Sequence, residues 1–186
     1  NPFIYLPPSL STNFESLTRL YLDANFLTEL KNLSLTCLKT LSLSLNNIEF
    51  IDTSTIHLPN LTTLDLSKNK IKQIPNDFSK SFPALKELNL SDNFIKEFPV
   101  TDGSIPLTIE KLTIYNNEID VIPGYFKLFN QLKEFTIAYN NLSFVPELPE
   151  SLQILRVNDN KINEITPQKL PQLKSLHLFY PSWAVK

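Results

Sequence analysis

Residues 61–71 read Leu-Thr-Thr-Leu-Asp-Leu-Ser-Lys-Asn-Lys-Ile, in which Leu61, Leu64, Leu66, Asn69 and Ile71 set out the spacing L-x-x-L-x-L-x-x-N-x-L. The same spacing returns in both directions. Upstream it is carried by Leu17, Leu20, Leu22, Asn25 and Leu27 and by Leu38, Leu41, Leu43, Asn46 and Ile48. Downstream come Leu85, Leu88, Leu90, Asn93, Ile95; Ile109, Leu112, Ile114, Asn117, Ile119; Leu132, Phe135, Ile137, Asn140, Leu142; and Leu152, Leu155, Val157, Asn160, Ile162. An eighth copy opens at Leu173, Leu176 and Leu178 and then breaks, because Pro181 stands at the asparagine position.

In the L-x-L centre of each copy apolar and polar residues alternate, which is the two-residue period of a strand with one buried face. A unit of twenty-odd residues cannot bury that face alone, so successive copies must stack. Their strands then form one parallel sheet, and the roughly 15 residues between centres supply the crossover that parallel neighbours need. The asparagine leaves the strand at a turn between apolar residues, so its amide must find backbone partners, and stacked copies predict an asparagine ladder. Ile74-Pro75, Phe98-Pro99, Ile122-Pro123 and Val145-Pro146 follow the turns and block long helices on the outer side. Phe14, Leu35, Leu58, Phe82, Phe129 and Leu170, three places before the first Leu, are expected to form the outer wall, with Pro106 and Pro149 as exceptions.

The asparagines step by 21, 23, 24, 24, 23 and 20 residues, inside the 20 to 29 residue period of leucine-rich repeats. The chain therefore resembles the leucine-rich repeat family from about Leu17 to Leu178. Copies with Phe78 or Phe126 resemble the typical eukaryotic class, and Val145-Pro146-Glu147-Leu148-Pro149 resembles the bacterial one, so the repeat classes are mixed. The fold class expected is an α/β-type solenoid: a right-handed, curved horseshoe with a concave parallel sheet of seven or eight short strands. Irregular or 3₁₀ connections are expected on the convex side. Residues 1–186 form one domain in this reading. Residues 1–16, with Phe3, Ile4, Tyr5, Leu6 and Phe14, cover the N-terminal edge; 17–172 hold seven full repeats; 173–186 are a partial repeat or cap.

Composition fits this reading. The 186 residues include 32 Leu and 19 Asn but 2 Gly and 4 Ala. A formal charge of −2 leaves no basic footprint for nucleic acid. No apolar run is long enough to enter and cross a membrane. The chain starts at Asn1 and holds no Met, which reads as a fragment or a processed chain.

A search for chemistry finds little. His57 and His177 lie more than five repeats apart, Cys37 has no His beside it, and Gly103 and Gly124 sit in separate connections. No catalytic residue, cofactor, metal or small-molecule substrate is expected. Sequons stand at Asn32, Asn60, Asn89 and Asn141, the third inside a strand where a glycan would obstruct the inner face.

Residues between the Leu points face outward and align in columns about 4.8 Å apart. The middle column runs Tyr21, Ser42, Asp65, Asn89, Thr113, Thr136, Arg156, His177. Toward the C-terminal end Tyr115, Tyr139, Arg156, His177, Phe179 and Tyr180 gather aromatic and cationic groups, the types that dominate protein interfaces. Phe179 and Tyr180 fit a capping role as well. Tyr21, with Phe26 and Leu45, forms a smaller cluster near the N-terminal end. What the resemblance implies is a non-catalytic module that binds a protein partner through its concave face, within a larger intracellular signalling protein. The family's secreted members carry Cys clusters at both ends, which this chain lacks, so the cytoplasm is expected. The alternatives are the targeting domain of a phosphatase, kinase or ubiquitin ligase, and a secreted receptor ectodomain fragment.

Overall fold

The computed structural model describes residues 3–99 and 103–178. Eight three-residue strands, β1 (Arg19–Tyr21), β2 (Thr40–Ser42), β3 (Thr63–Asp65), β4 (Glu87–Asn89), β5 (Lys111–Thr113), β6 (Glu134–Thr136), β7 (Ile154–Arg156) and β8 (Ser175–His177), are each centred on the second apolar point of the spacing. They form one parallel sheet in chain order. The register aligns Leu20, Leu41, Leu64, Leu88, Leu112, Phe135, Leu155 and Leu176 in a single row. This row and its flanking apolar points carry the core from Leu27 to Val157. The molecule is a parallel-stranded solenoid.

Past each of the first seven strands the chain turns through a left-handed residue: Ala24, Leu45, Lys68, Asp92, Asn116, Tyr139 and Asp159 have φ between 52° and 57°. Each stands directly before a ladder asparagine. Because none is glycine, each turn holds a backbone conformation that side chains disfavour, and the asparagine bonds keep it there. Asn93 shows the pattern. Its Nδ2 donates to Leu66 O (3.0 Å), Leu90 O (3.1 Å) and Ser91 O (3.1 Å), while its Oδ1 accepts from Ile71 N (2.9 Å). Asn46, Asn69, Asn117, Asn140 and Asn160 likewise donate to three carbonyls, one of them in the preceding coil.

The outer path is irregular as expected, with single-turn pieces at Ser9–Asn13 and Phe78–Ser81 and 3₁₀ turns at Thr53–Thr55 and Gly124–Leu128. It also holds two-residue parallel ladders that the periodicity does not announce: Glu29–Leu30 with Phe50–Ile51, Leu33–Ser34 with Ile56–His57, and Phe144–Val145 with Glu164–Ile165. For the first and the third of these the placement has a chemical cause: where the ladder ends, the next residue donates to the preceding coil, as Asp52 N does to Leu30 O (2.9 Å) and Thr166 N to Val145 O (2.9 Å). In the coils between, that place is held by Pro75, Pro99, Pro123 and Pro146, which have no N–H to give.

Leu35, Leu58, Phe82 and Phe129 are fully buried as the outer wall, whereas Phe14 at the N-terminal edge is exposed. Pro106 and Pro149, the two sequence exceptions, are buried in the same place. Their carbonyls accept from Ile109 N and Leu152 N as Phe82 O does from Leu85 N. Phe126, in the 3₁₀ turn Gly124–Leu128, packs against Phe98, Phe129 and Phe135 with ring centroids 5.5, 5.1 and 4.5 Å away. At the N-terminal edge Leu6 is buried, while Phe3, Ile4 and Tyr5 are exposed.

Candidate functional site on the open face of the sheet

The face of the sheet turned away from the core presents the columns read from the alternation. Tyr21, Ser42, Asp65, Asn89, Thr113, Thr136, Arg156 and His177 are register partners one to the next. The two halves of this face differ in how far their polar groups are already paired.

In the N-terminal half the small side chains bond to one another. Asp23 accepts from Ser42 Oγ and from Ser44 N (2.9 Å), and the hydroxyls of Ser44 and Ser67 lie 3.0 Å apart. Asp65 accepts from Ser67 N (2.8 Å) and Asn89 Nδ2 (3.2 Å), and Asn89 Oδ1 accepts from Ser91 N and Ser91 Oγ (3.1 and 2.7 Å). These aspartates serve the face itself by fixing the rotamers of their neighbours. Asp65 stands two residues before Ser67 in its own segment, whereas Asp23 reaches the serines of the next coil.

The C-terminal half is aromatic and cationic. Tyr115 and Tyr139 pack with ring centroids 5.1 Å apart and planes inclined by 59°. Tyr115 is half-buried and Tyr139 is 47% exposed, at the left-handed position before Asn140. The Asp159 carboxylate, one coil on, raises the Tyr139 phenol above its ordinary value, helped by desolvation and by Tyr115. Arg156 and His177 are neighbours on β7 and β8, both half-buried, and the His177 ring lies 3.0 Å from Ser175 Oγ. Arg156 enters no ion pair among the described residues. Four of the residues singled out in the sequence, Tyr115, Tyr139, Arg156 and His177, therefore share one end of the face. Phe179 and Tyr180 lie outside the described residues. Tyr21 is 62% exposed on β1, at the opposite end, with Leu45 exposed one coil away. Asp159 was missed, since only the turn geometry brings it to Tyr139.

Of the sequons, Asn32 and Asn60 are exposed, while Asn89 and Asn141 are half-buried, with Nδ2 bonded to Asp65 and Glu118 O respectively. Cys37 is an exposed free thiol. Among the described residues no group of three His, Cys, Asp or Glu is placed to hold a metal, and no helix is long and apolar enough to cross a membrane.

Comparison with known proteins agrees with this geometry. The profile described as Leucine rich repeat matches residues 36–95. Toll-like receptor 2 of Ovis aries is 33% identical over 193 residues, covering 95% of this chain; the chain spans 24% of the receptor's length. The probable serine/threonine-protein kinase pats1 of Dictyostelium discoideum is 30% identical over 154 residues, 77% of this chain and 5% of the kinase. Among solved structures, YopM, a leucine-rich effector protein from Yersinia pestis, superposes with a TM-score of 0.73 at 25% identity, over 88% of this chain and 44% of that one. The repeat read from residues 61–71, the ladder it builds and the proteins it matches are of one kind, and the chain belongs to the leucine-rich repeat family.

Proposed function

We propose that this leucine-rich repeat module binds a protein partner along the open, concave face, with Tyr115, Tyr139, Arg156 and His177 as the main contact and Tyr21 as an outlying one. One observation carries the reading. The N-terminal half of the face has its polar groups tied up in an Asp-Ser-Asn network, whereas the C-terminal half presents the Tyr115–Tyr139 pair and, on the coil after Tyr139, Arg156 with no ion-pair partner among the described residues. Aromatic and arginine side chains of this sort supply most interface energy: tyrosine desolvates a large area with few rotatable bonds, and the planar guanidinium offers several donors at once.

The module acts in this reading as the non-catalytic part of a larger signalling protein in the cytoplasm, which the lack of terminal Cys clusters supports. A second reading, targeting domain of an enzyme, is favoured by the likeness to the Dictyostelium kinase. A secreted receptor fragment is supported by the likeness to a receptor and by the exposed Asn32 and Asn60; glycan mass on the native protein at either asparagine would move the module outside the cell.

The binding reading is tested with a benzophenone amino acid in the full-length protein in its own cells, placed at position 139 or, as a control on the outer path, at the exposed Leu107. A protein adduct is expected from position 139 and none from 107. Tyr115→Ala with Arg156→Ala should abolish the adduct while leaving the melting temperature nearly unchanged. An adduct from 107 alone, or one undiminished in the double variant, overturns the site.

A further inference from the structure

Acids and bases are unevenly distributed along the open face. Around β3 and β4 it carries Asp65 and Glu87, whereas segments 151–158 and 172–178, which contain β7 and β8, hold Arg156, Lys174 and His177 and no acid. Lys174 stands at the flank, where its Nζ donates to Gln153 Oε1 (3.3 Å). Arg156 and His177 are register partners on adjacent strands, and both are half-buried.

The carboxylates on either side of Arg156 already have other partners. Glu134, on the strand before, pairs with Lys111 (3.4 Å). Asp159, on the turn that follows β7, accepts from Asn158 Nδ2 (2.6 Å) and from the Tyr139 phenol. Arg156 itself enters no ion pair among the described residues, so its guanidinium has given up part of its hydration without a counter-ion. Such a cation gains most from an oxyanion that a ligand brings, because its planar fork can hold a carboxylate through two parallel N–H···O bonds. Apolar surface adjoins it. Half-buried Ile154 shares the outward side of β7 with Arg156, and the Tyr115–Tyr139 ring pair stands on the two coils before.

We infer that what docks at this end of the face is an acidic segment of the protein partner: an Asp or Glu carboxylate seats on the Arg156 guanidinium beside His177, and a neighbouring apolar or aromatic side chain covers Tyr115, Tyr139 and Ile154. This rests on the binding site proposed above and adds the chemistry of its partner. The same distribution of charge sets the direction of docking. Carboxylates on the partner are repelled by Asp65 and Glu87 and drawn toward β7 and β8, so the acidic part of the segment lies over the C-terminal strands. A basic segment would set like charge against Arg156, which weakens binding.

The test is a selection of random peptides displayed on phage against the protein, with each recovered peptide then measured on the Tyr115→Ala, Arg156→Gln and Arg156→Glu variants. Peptides that need Tyr115 are expected to be enriched in Asp and Glu and to lose about tenfold or more in affinity on Arg156→Gln, which removes the charge and keeps most of the side-chain length. Their binding to wild type should weaken as salt is raised. Replacing their acidic residue by Lys should abolish binding to wild type and restore it on Arg156→Glu. Because the Lys replacement is made in the peptide, its effect on wild type can be read whatever the stability of the variants. Peptides that need Tyr115, carry no acidic residue and bind Arg156→Gln as tightly as wild type overturn the inference and leave the proposed binding site standing. Recovery of no peptide, or only of peptides indifferent to both Tyr115→Ala and Arg156→Gln, overturns both.

Discussion

Asn93 makes four hydrogen bonds from one side-chain amide, and they join two successive coils: Ile71 and Leu66 before it, and Leu90 and Ser91 in its own. Truncation leaves one buried N–H and several carbonyls without a partner. Asn93→Ala is therefore expected to lower stability by about 1 to 3 kcal/mol, read from chemical denaturation. Asn25→Ala is expected to cost less, because Asn25 is half-buried, lacks the bond to a preceding coil and lies where water can replace the amide. Equal losses at the two positions would mean that the bonds between coils contribute nothing. The asparagine role is legible in the sequence because a polar residue recurring between apolar points must be satisfied internally. The left-handed residue before it is not legible: Ala24, Leu45, Lys68, Asp92, Asn116, Tyr139 and Asp159 share no chemistry, and only their common backbone conformation unites them.

Leu88 lies at the centre of β4, 1% exposed, with Leu64 and Leu112 as its register partners. It belongs to a row of apolar side chains that is continuous through the stack, so a truncation here opens a cavity between coils that cannot close without shifting both. Leu88→Ala is expected to cost about 2 to 5 kcal/mol, and Leu20→Ala in the half-buried edge strand clearly less; wild-type denaturation of the Leu88 variant would contradict the burial. The strands were legible at this scale because spacing and alternation determine both register and face. The outer ladders at residues 29–30, 33–34 and 144–145 were not, since no apolar alternation marks them. Their signal is negative: the ladder that follows Leu30 and Ile51 fails in the coils where a proline takes the next place. The aromatic end of the open face was legible from the columns alone, whereas the Asp-Ser pairing that distinguishes the two halves needed side-chain geometry.

Across the whole molecule each coil packs on its neighbours, so stability is a sum of coil and interface contributions, and a charge adds to the interface contribution where it bridges coils. Glu110 does so twice, to Lys86 (3.0 Å) in the coil before and Lys133 (2.6 Å) in the coil after. The bond from Lys133, and then that from Lys86, holds its carboxyl below the ordinary value of 4.5. A depressed acid stabilises the folded state above the unfolded value and loses that contribution as pH falls through the folded one. Both lysines are more than half exposed, which limits the gain to about 1 kcal/mol or less. Glu110→Gln is accordingly expected to melt below wild type at pH 7, and the gap should shrink as pH falls below 4.5. It should also shrink at pH 7 in about 1 M salt, where the Debye length is about 3 Å. Thermal melts of both proteins from pH 7 to pH 3 check the sign. A gap that stays constant with pH would place the effect in side-chain packing rather than charge, and a gap that widens toward low pH would contradict the ion-pair bridge between coils.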